Sequence, residues 1–331
     1  MTVLLAATSD GVARITESGD AWSVEAVLDE GRGQCIALDP GDPRRVFAGS
    51  HGRGVWRSGD GGASFEDAGL PARDVFSIAV SPVDGTVYAG CEPSMLFRSG
   101  DGGQSWEELS SLREIPSATT WSFPPRPWTS HVRWIAPSPH DADRLLVGIE
   151  LGGVMLSEDG GRTWKDHRPG AQPDCHALAW HPDVEGRAYE AAGGGAAWSS
   201  DGGDTWRAAD EGRDRDYTWA LAVDPEDPER WYVSASPGPM LAHGSRSAQA
   251  HLYRWQGDGP WERLTEGLPD PLDSMPYALA TADGALFAGL ADGEIWRSDD
   301  RGDSWRPLAL EDDSLERVLA LAPLPRGPEG G

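Results

Sequence analysis

SGDGGQSW (99–106) decides the fold, because it is not alone. SGDGGASF (58–65), SEDGGRTW (157–164), SSDGGDTW (199–206) and SDDRGDSW (298–305) repeat its pattern: an Asp, a Gly two residues on, a Ser or Thr, then an aromatic. TESGDAW (16–22) and WQGDGPW (255–261) are worn copies in the gaps. Counted from Thr16, Ser58, Ser99, Ser157, Ser199, Trp255 and Ser298, the steps are 42, 41, 58, 42, 56 and 43 residues. A period near 42 with two enlarged steps is an array of equivalent supersecondary units.

Around the motif, VFSIAVSP (75–82), TVYAGC (86–91), MLFRS (95–99) and SWEEL (105–109) read as four short strands. They are β-branched or aromatic, and Gly, Pro and Asp bound them. No segment keeps helical apolar spacing for long. Four strands per unit of this length is a propeller blade, with the motif in the hairpin between third and fourth strands. Asp60, Asp101, Asp159, Asp201 and Asp300 are expected to accept N–H groups within their own turns. Trp106, Trp164, Trp206 and Trp305 are expected to plug the core beneath them. These turns lack the carboxylate set of an EF-hand, so their role is structural rather than calcium binding.

Seven motif positions imply seven blades: an all-β, seven-bladed propeller spanning residues 1–331 as one domain. TVLLAAT (2–8) reads as a second strand with no first strand before it, and RVLALAPL (317–324) as an orphan first strand. One blade is then built from both termini, which closes the ring and removes exposed sheet edges. The five well-kept motifs resemble those of the BNR/Asp-box superfamily, which includes sialidases, sortilin-type receptor domains, xyloglucanases and photosystem assembly factors. The resemblance implies the propeller. It does not supply an activity, since in that family the boxes sit away from the ligand site. Sialidases also carry an arginine triad and an FRIP-like segment; here only REIP (113–116) is similar, without the aromatic, and the triad cannot be mapped position by position.

The net charge of −26, with Lys165 the only lysine, argues against nucleic acid or an anionic membrane as partner. No apolar run approaches the roughly 20 residues that span a bilayer. The start MTVLLAATSDGV has neither the basic residues nor the length of a signal peptide, so the reading is cytoplasmic. Cys35, Cys91 and Cys175 are odd in number and scattered, which implies no disulfide framework.

Strand order puts the starts of first strands and the ends of second strands at one end of the channel, opposite the motif turns. Both insertions, 111–130 and 236–250, belong to that face, and elaborated loops mark where function is carried. Aligned on the repeat, His51, Glu92 and Glu150 end second strands. Gln34, His131 with Arg133, His176, Tyr217 with Trp219, Met275 and Arg317 open first strands. Histidine and carboxylate together suit zinc, iron or manganese, so His51, His131 and His176 are candidate ligands of a single transition metal in the channel. Glu92, Glu150 and Tyr217 are candidate catalytic groups. Arg133 and Arg317 are candidate ligand contacts, with Trp121 and Trp128 of the proline-rich insertion placed either to stack on a planar ligand or to cap the mouth. A polar, water-filled channel lining accounts for the same residues without a site.

No GxSxG, P-loop, HExxH or CxxC is present. The expected function is therefore a ligand- or protein-binding module acting through its loop-rich face and channel, toward a small molecule, glycan or protein. The alternative is a hydrolase or lyase, glycosidase-like or metal-assisted, at the same mouth.

Overall fold

The computed structural model describes residues 1–244, 247–311 and 315–325. Seven sheets, antiparallel except where Leu310–Glu311 pairs parallel with Ala21–Leu28, form a seven-bladed β-propeller with almost no helix among the described residues. Blade I joins Ala320–Leu324, Val3–Thr8, Gly11–Ser18 and Ala21–Leu28, from channel to rim. Blade II starts at Arg32–Leu38, blade III at Val75–Val80 and blade IV at Val132–Pro137. Blades V, VI and VII start at Cys175–Trp180, Tyr217–Val223 and Pro276–Ala282. Blade IV has three full strands, and an isolated bridge from Leu156 to Lys165 stands for its fourth.

Closure is by the two ends of the chain. Val3 pairs with Leu324 and Ala7 with Ala320, antiparallel, so the C-terminal strand supplies the innermost position of blade I. The apolar core divides accordingly. Among the described residues it forms seven clusters, one between each pair of neighbouring blades, such as Phe47, Val55, Ile78 and Phe97 between II and III. Each blade thus buries its faces only against its neighbours.

The repeated turns are rigid for a stated reason. Asp101 Oδ1 accepts the N–H groups of Gln104 and Ser105, both at 2.9 Å, and the Ser99 hydroxyl at 2.7 Å. Its Oδ2 accepts the Ser105 hydroxyl at 2.6 Å. Asp60, Asp159, Asp201 and Asp300 repeat the pattern. Both carboxylate oxygens are consumed inside the turn. The hydroxyl donors of Ser64 and Ser58 hold Asp60 down at about 2. Gly103 takes φ +79°, and a Cβ there would meet the Phe47 ring at 3.1 Å. The aromatic that ends each motif packs between its own blade and the preceding one: Phe65, Trp106, Trp164, Trp206 and Trp305 all border those clusters.

The motif turns join third to fourth strands, and the second insertion lies away from them, where His243 meets Tyr217, while the first reaches that face only in part. The first does more than decorate that face. Its short turns at Ser110–Glu114 and Pro116–Thr120 run down the side of blade IV, where the Ser111 hydroxyl donates to Gly161 O at 3.0 Å. Leu112, Ile115 and Trp121 are buried there with Met155 and Val132. Only its second half, from Phe123, reaches the mouth, where Phe123 meets His131 edge-on. In the second insertion, the Ser236 hydroxyl donates to Ala248 O, and Ala248 N–H donates to Asp273 O. No helix among the described residues is long and apolar enough to cross a membrane.

Candidate functional site at the channel mouth

Six of the seven innermost strands break register near their mouth end. The ladder skips Gln34, Phe76, Arg133, His176 and Tyr277 in blades II, III, IV, V and VII. In blade VI the interruption lies between Thr218 and Leu221, at Trp219 and Ala220. A bulge re-aims a side chain that a regular pleat would send into the neighbouring blade. Gln34, Phe76, Arg133, Trp219 and Tyr277 accordingly line a central cavity of about 190 Å³. A second, open groove of about 560 Å³ adjoins it, walled by Arg32, His51, Phe76, Arg126, Arg317 and the acids Asp10 and Glu316.

The polar groups at the mouth fall into two connected sets. In the first, His131 is sandwiched between carboxylates. Its Nε2 lies 2.8 Å from Glu150 Oε2 and its Nδ1 3.5 Å from Glu92 Oε2, while its ring stacks on Phe76 at 4.0 Å. Arg126, from the insertion, donates to Glu92 at 2.7 Å. Burial works to raise the Glu150 carboxyl, but the hydrogen bond and charge of His131, with Arg133, outweigh it and hold it at about 2. Burial likewise opposes Glu92, and His131 and Arg126 again win, leaving it below the usual carboxylate range.

The second set is aromatic. Tyr217 donates to His243 Nε2 at 2.8 Å, and His243 Nδ1 lies 3.0 Å from the Tyr277 hydroxyl. Tyr277 donates to Ala242 O at 3.0 Å and receives Arg317 at 3.2 Å. This network clasps the second insertion to the mouth. Burial lowers His243 to about 4, so it is neutral at physiological pH. Trp219 packs against His176 at 4.5 Å and His243 at 4.5 Å, with the Arg133 guanidinium over its ring at 4.6 Å.

Between the sets lie Glu150, Asp174 and His176, each offering one ligand atom within 4.8 Å of the others. Asp174 directly precedes the first strand of blade V, as His131 precedes that of blade IV.

His51, His131 and His176 are not gathered at one point. His51 is paired with Asp74 at 3.1 Å and lies on the far side of Phe76 from His131, while His176 joins Glu150 and Asp174. Tyr217 reaches the mouth, but burial raises its phenol far above the ordinary value and its hydroxyl is committed to His243. Trp121 is buried, and its indole N–H donates to the Ser117 hydroxyl at 3.2 Å, so it caps the insertion's own cluster and has no free face for a ligand. Trp128 is 80 % exposed. His181 is buried, and its Nδ1 accepts the N–H groups of Asp183 and Val184. Met275 packs in the blade VI–VII core, and the channel position belongs to Tyr277, two residues later. Cys35 is pushed up to about 12 by burial, and Cys91 and Cys175 are pushed up as well, which disfavours the thiolate at all three.

Asp174 and Tyr277 were missed for one reason. The repeat aligns turns, whereas the bulges offset first strands relative to them. Aligning first strands on their bulges, with His131 against Asp174 and with Arg133 against His176 and Tyr277, would have found both residues.

No protein-family model matches this chain. No curated protein matches it either. Solved structures do. An ancestral GH74 enzyme aligns with TM-score 0.65 and 18 % identity over 83 % of this chain and 38 % of its own. The GH74 xyloglucanase from Xanthomonas campestris aligns with TM-score 0.65 and 18 % identity, over 86 % of this chain and 46 % of its own. YCF48 bound to a D1 peptide aligns with TM-score 0.59 and 17 % identity, over 83 % and 80 %. The chain spans less than half the length of those two GH74 structures. At these identities the likeness is one of fold, and the fold is the seven-bladed β-propeller.

Proposed function

We propose that the protein is a binding propeller that takes an extended peptide or protein segment across the loop-rich mouth of its channel. The observation that carries this reading is the apolar exposure of both insertions on that face. Trp128 is 80 % exposed and Met240 86 %, and both stand on loops anchored to the channel wall, through Arg126 to Glu92 and through His243 to Tyr217 and Tyr277. Tryptophan and methionine are favoured anchors at protein interfaces. The adjoining groove sets Arg32, Arg126 and Arg317 against Asp10 and Glu316, a mixed lining that suits the donors and acceptors of a peptide better than one concentrated charge. YCF48, a propeller of the same fold, has been solved with a peptide bound.

The GH74 likeness favours a second reading, glycan hydrolysis at the same mouth with Glu92 and Glu150 as the pair. The electrostatics weigh against it. A glycosidase needs one carboxyl held protonated as general acid, and here both are driven toward ionisation. The His131 ring also stands between them, where the glycosidic oxygen or water would have to go.

The test is selection of binders from a random peptide display library, followed by affinity measurement on single peptides. Trp128→Ala combined with Met240→Ala should weaken binding at least about tenfold, the usual loss at an interface anchor, with melting unchanged. Peptides that bind the double variant as well as the wild type would overturn the proposal. Release of reducing ends from xyloglucan by the wild type, lost in Glu150→Gln, would put the hydrolase first.

A further inference from the structure

We propose that Glu150, Asp174 and His176 bind one divalent transition-metal ion at the seam of blades IV and V, on the mouth side of the channel. The inference stands apart from the peptide-binding reading and does not need it.

His176 carries the argument. It is fully buried, and its Nδ1 lies 2.6 Å from the carbonyl oxygen of Thr218. A carbonyl only accepts, so Nδ1 must hold the proton. The Thr218 side chain cannot drift, since its hydroxyl donates to Ala192 O or Gly195 O, at 2.9 and 2.7 Å, and accepts Ala192 N–H. In the neutral ring, Nε2 is then left as a lone pair in a fixed direction, and among the described residues it has no hydrogen-bond partner. A buried polar atom without a partner is costly and asks for one. The arrangement is the one metal-ligating histidines adopt, with one nitrogen pinned by a backbone carbonyl and the other free to coordinate.

What faces that lone pair is carboxylate. Asp174 Oδ2 is 3.6 Å from Nε2, too far for a hydrogen bond. It is close to the spacing of about 3–3.5 Å between two ligands that each sit about 2.1 Å from a zinc ion. Asp174 Oδ1 is held by the Leu151 N–H at 3.3 Å. Leu151 itself has φ +48°, an uncommon conformation for a non-glycine residue, in the turn that carries Glu150. Glu150 is oriented by His131 at 2.8 Å. Thus each ligand is positioned by a second group from a different part of the chain. One imidazole and two carboxylates suit zinc, manganese or ferrous iron. Three protein ligands leave a four-coordinate ion at least one position for water or a bound group.

Arg133 is the cation that could neutralise the site instead. It does not fill it: its guanidinium lies over Trp219 and meets Glu150 only at 3.8 Å. Tyr217 and Trp219 flank His176 with their rings at 4.8 and 4.5 Å, which shields the position from bulk water.

The experiment uses the full untagged chain, stripped with EDTA and titrated separately with Zn(II), Mn(II) and Co(II) by calorimetry. ¹⁵N-histidine spectra follow the same titrations with Zn(II). One ion should bind per chain, the Nε2 resonance of His176 should move, and Co(II) should give visible absorption. Asp174→Asn and Glu150→Gln, which preserve shape, should each weaken the ion at least about tenfold, while His140→Ala at an exposed site should not. His176→Gln should abolish binding; should it fail to fold, the two carboxylate variants still decide. Absence of a stoichiometric ion, or equal affinity in Asp174→Asn and Glu150→Gln, would overturn the proposal. An ion that binds without moving the His176 resonance lies elsewhere, and would overturn it too.

Discussion

Glu150 Oε2 and His131 Nε2 lie 2.8 Å apart, both from buried residues, His131 just before the first strand of blade IV and Glu150 just after its second, Leu145–Ile149. The pair is where folding and the mouth's chemistry meet. Removing either partner leaves the other buried without its complement, which is far more damaging than losing an exposed ion pair.

Glu150→Gln should therefore cost on the order of 3 kcal/mol at neutral pH. The carboxyl is held at about 2 against an ordinary value of 4.5. A depressed carboxyl contributes stability that is present above its unfolded value and is lost as pH falls through the folded one. The wild-type advantage should accordingly shrink between about pH 4.5 and 2. Urea unfolding of both proteins across that interval checks it, and a difference that persists undiminished at low pH would contradict the assignment.

Glu190 should behave in the opposite sense. It is fully buried in blade V; among the described residues the Gln172 N–H bonds one oxygen and nothing bonds the other. Burial pushes it up to about 8. Its contribution is fully present below the unfolded value and is lost as pH rises through the folded one, with a slope of up to about 1.4 kcal/mol per pH unit. Glu190→Gln should flatten the fall in stability between about pH 5 and 8 and be the more stable protein at pH 9. Equal pH slopes in the two proteins would refute this.

Trp206, 5 % exposed between blades IV and V, should cost about 3–5 kcal/mol when changed to Ala. Asp101→Ala should lower the melting temperature by opening its turn, since both carboxylate oxygens are used there. Neither change should alter peptide affinity or metal stoichiometry under conditions where the variant is folded. Calorimetry with the mouth ligands is the check.

A chain ending before Val318 should lose the innermost strand of blade I and expose the unpaired edge of Val3–Thr8. Exposed edges recruit other chains. Such a truncation should unfold at lower urea concentration and associate on size-exclusion chromatography, and adding the missing segment as a peptide should reverse both effects.

The blade count, the closure and the site of the turns were all readable along the chain because they are properties of local order. The Asp, Gly and Ser of 99–106 satisfy one another within a few residues, so the motif carries its own structure wherever it stands. Trp121 shows where this stops. Its neighbours in sequence mark it as a loop aromatic, but whether it faces solvent depends on Leu112 and Ile115 folding back over blade IV. His131 and His176 show the same limit: the alignment places both at the mouth, yet a one-residue bulge in each inner strand decides what each touches.

By itself, then, the sequence determined a ring of seven blades and how the two termini close it. These follow from periodic turns and strand alternation, where each choice is enforced within some forty residues. Only the tertiary structure decided that Asp174 joins Glu150 and His176, that His131 separates Glu92 from Glu150, and that His243 locks an insertion onto Tyr217 and Tyr277. Those contacts join residues from different blades or insertions, and their geometry is set by bulges and inter-blade packing that no single repeat encodes.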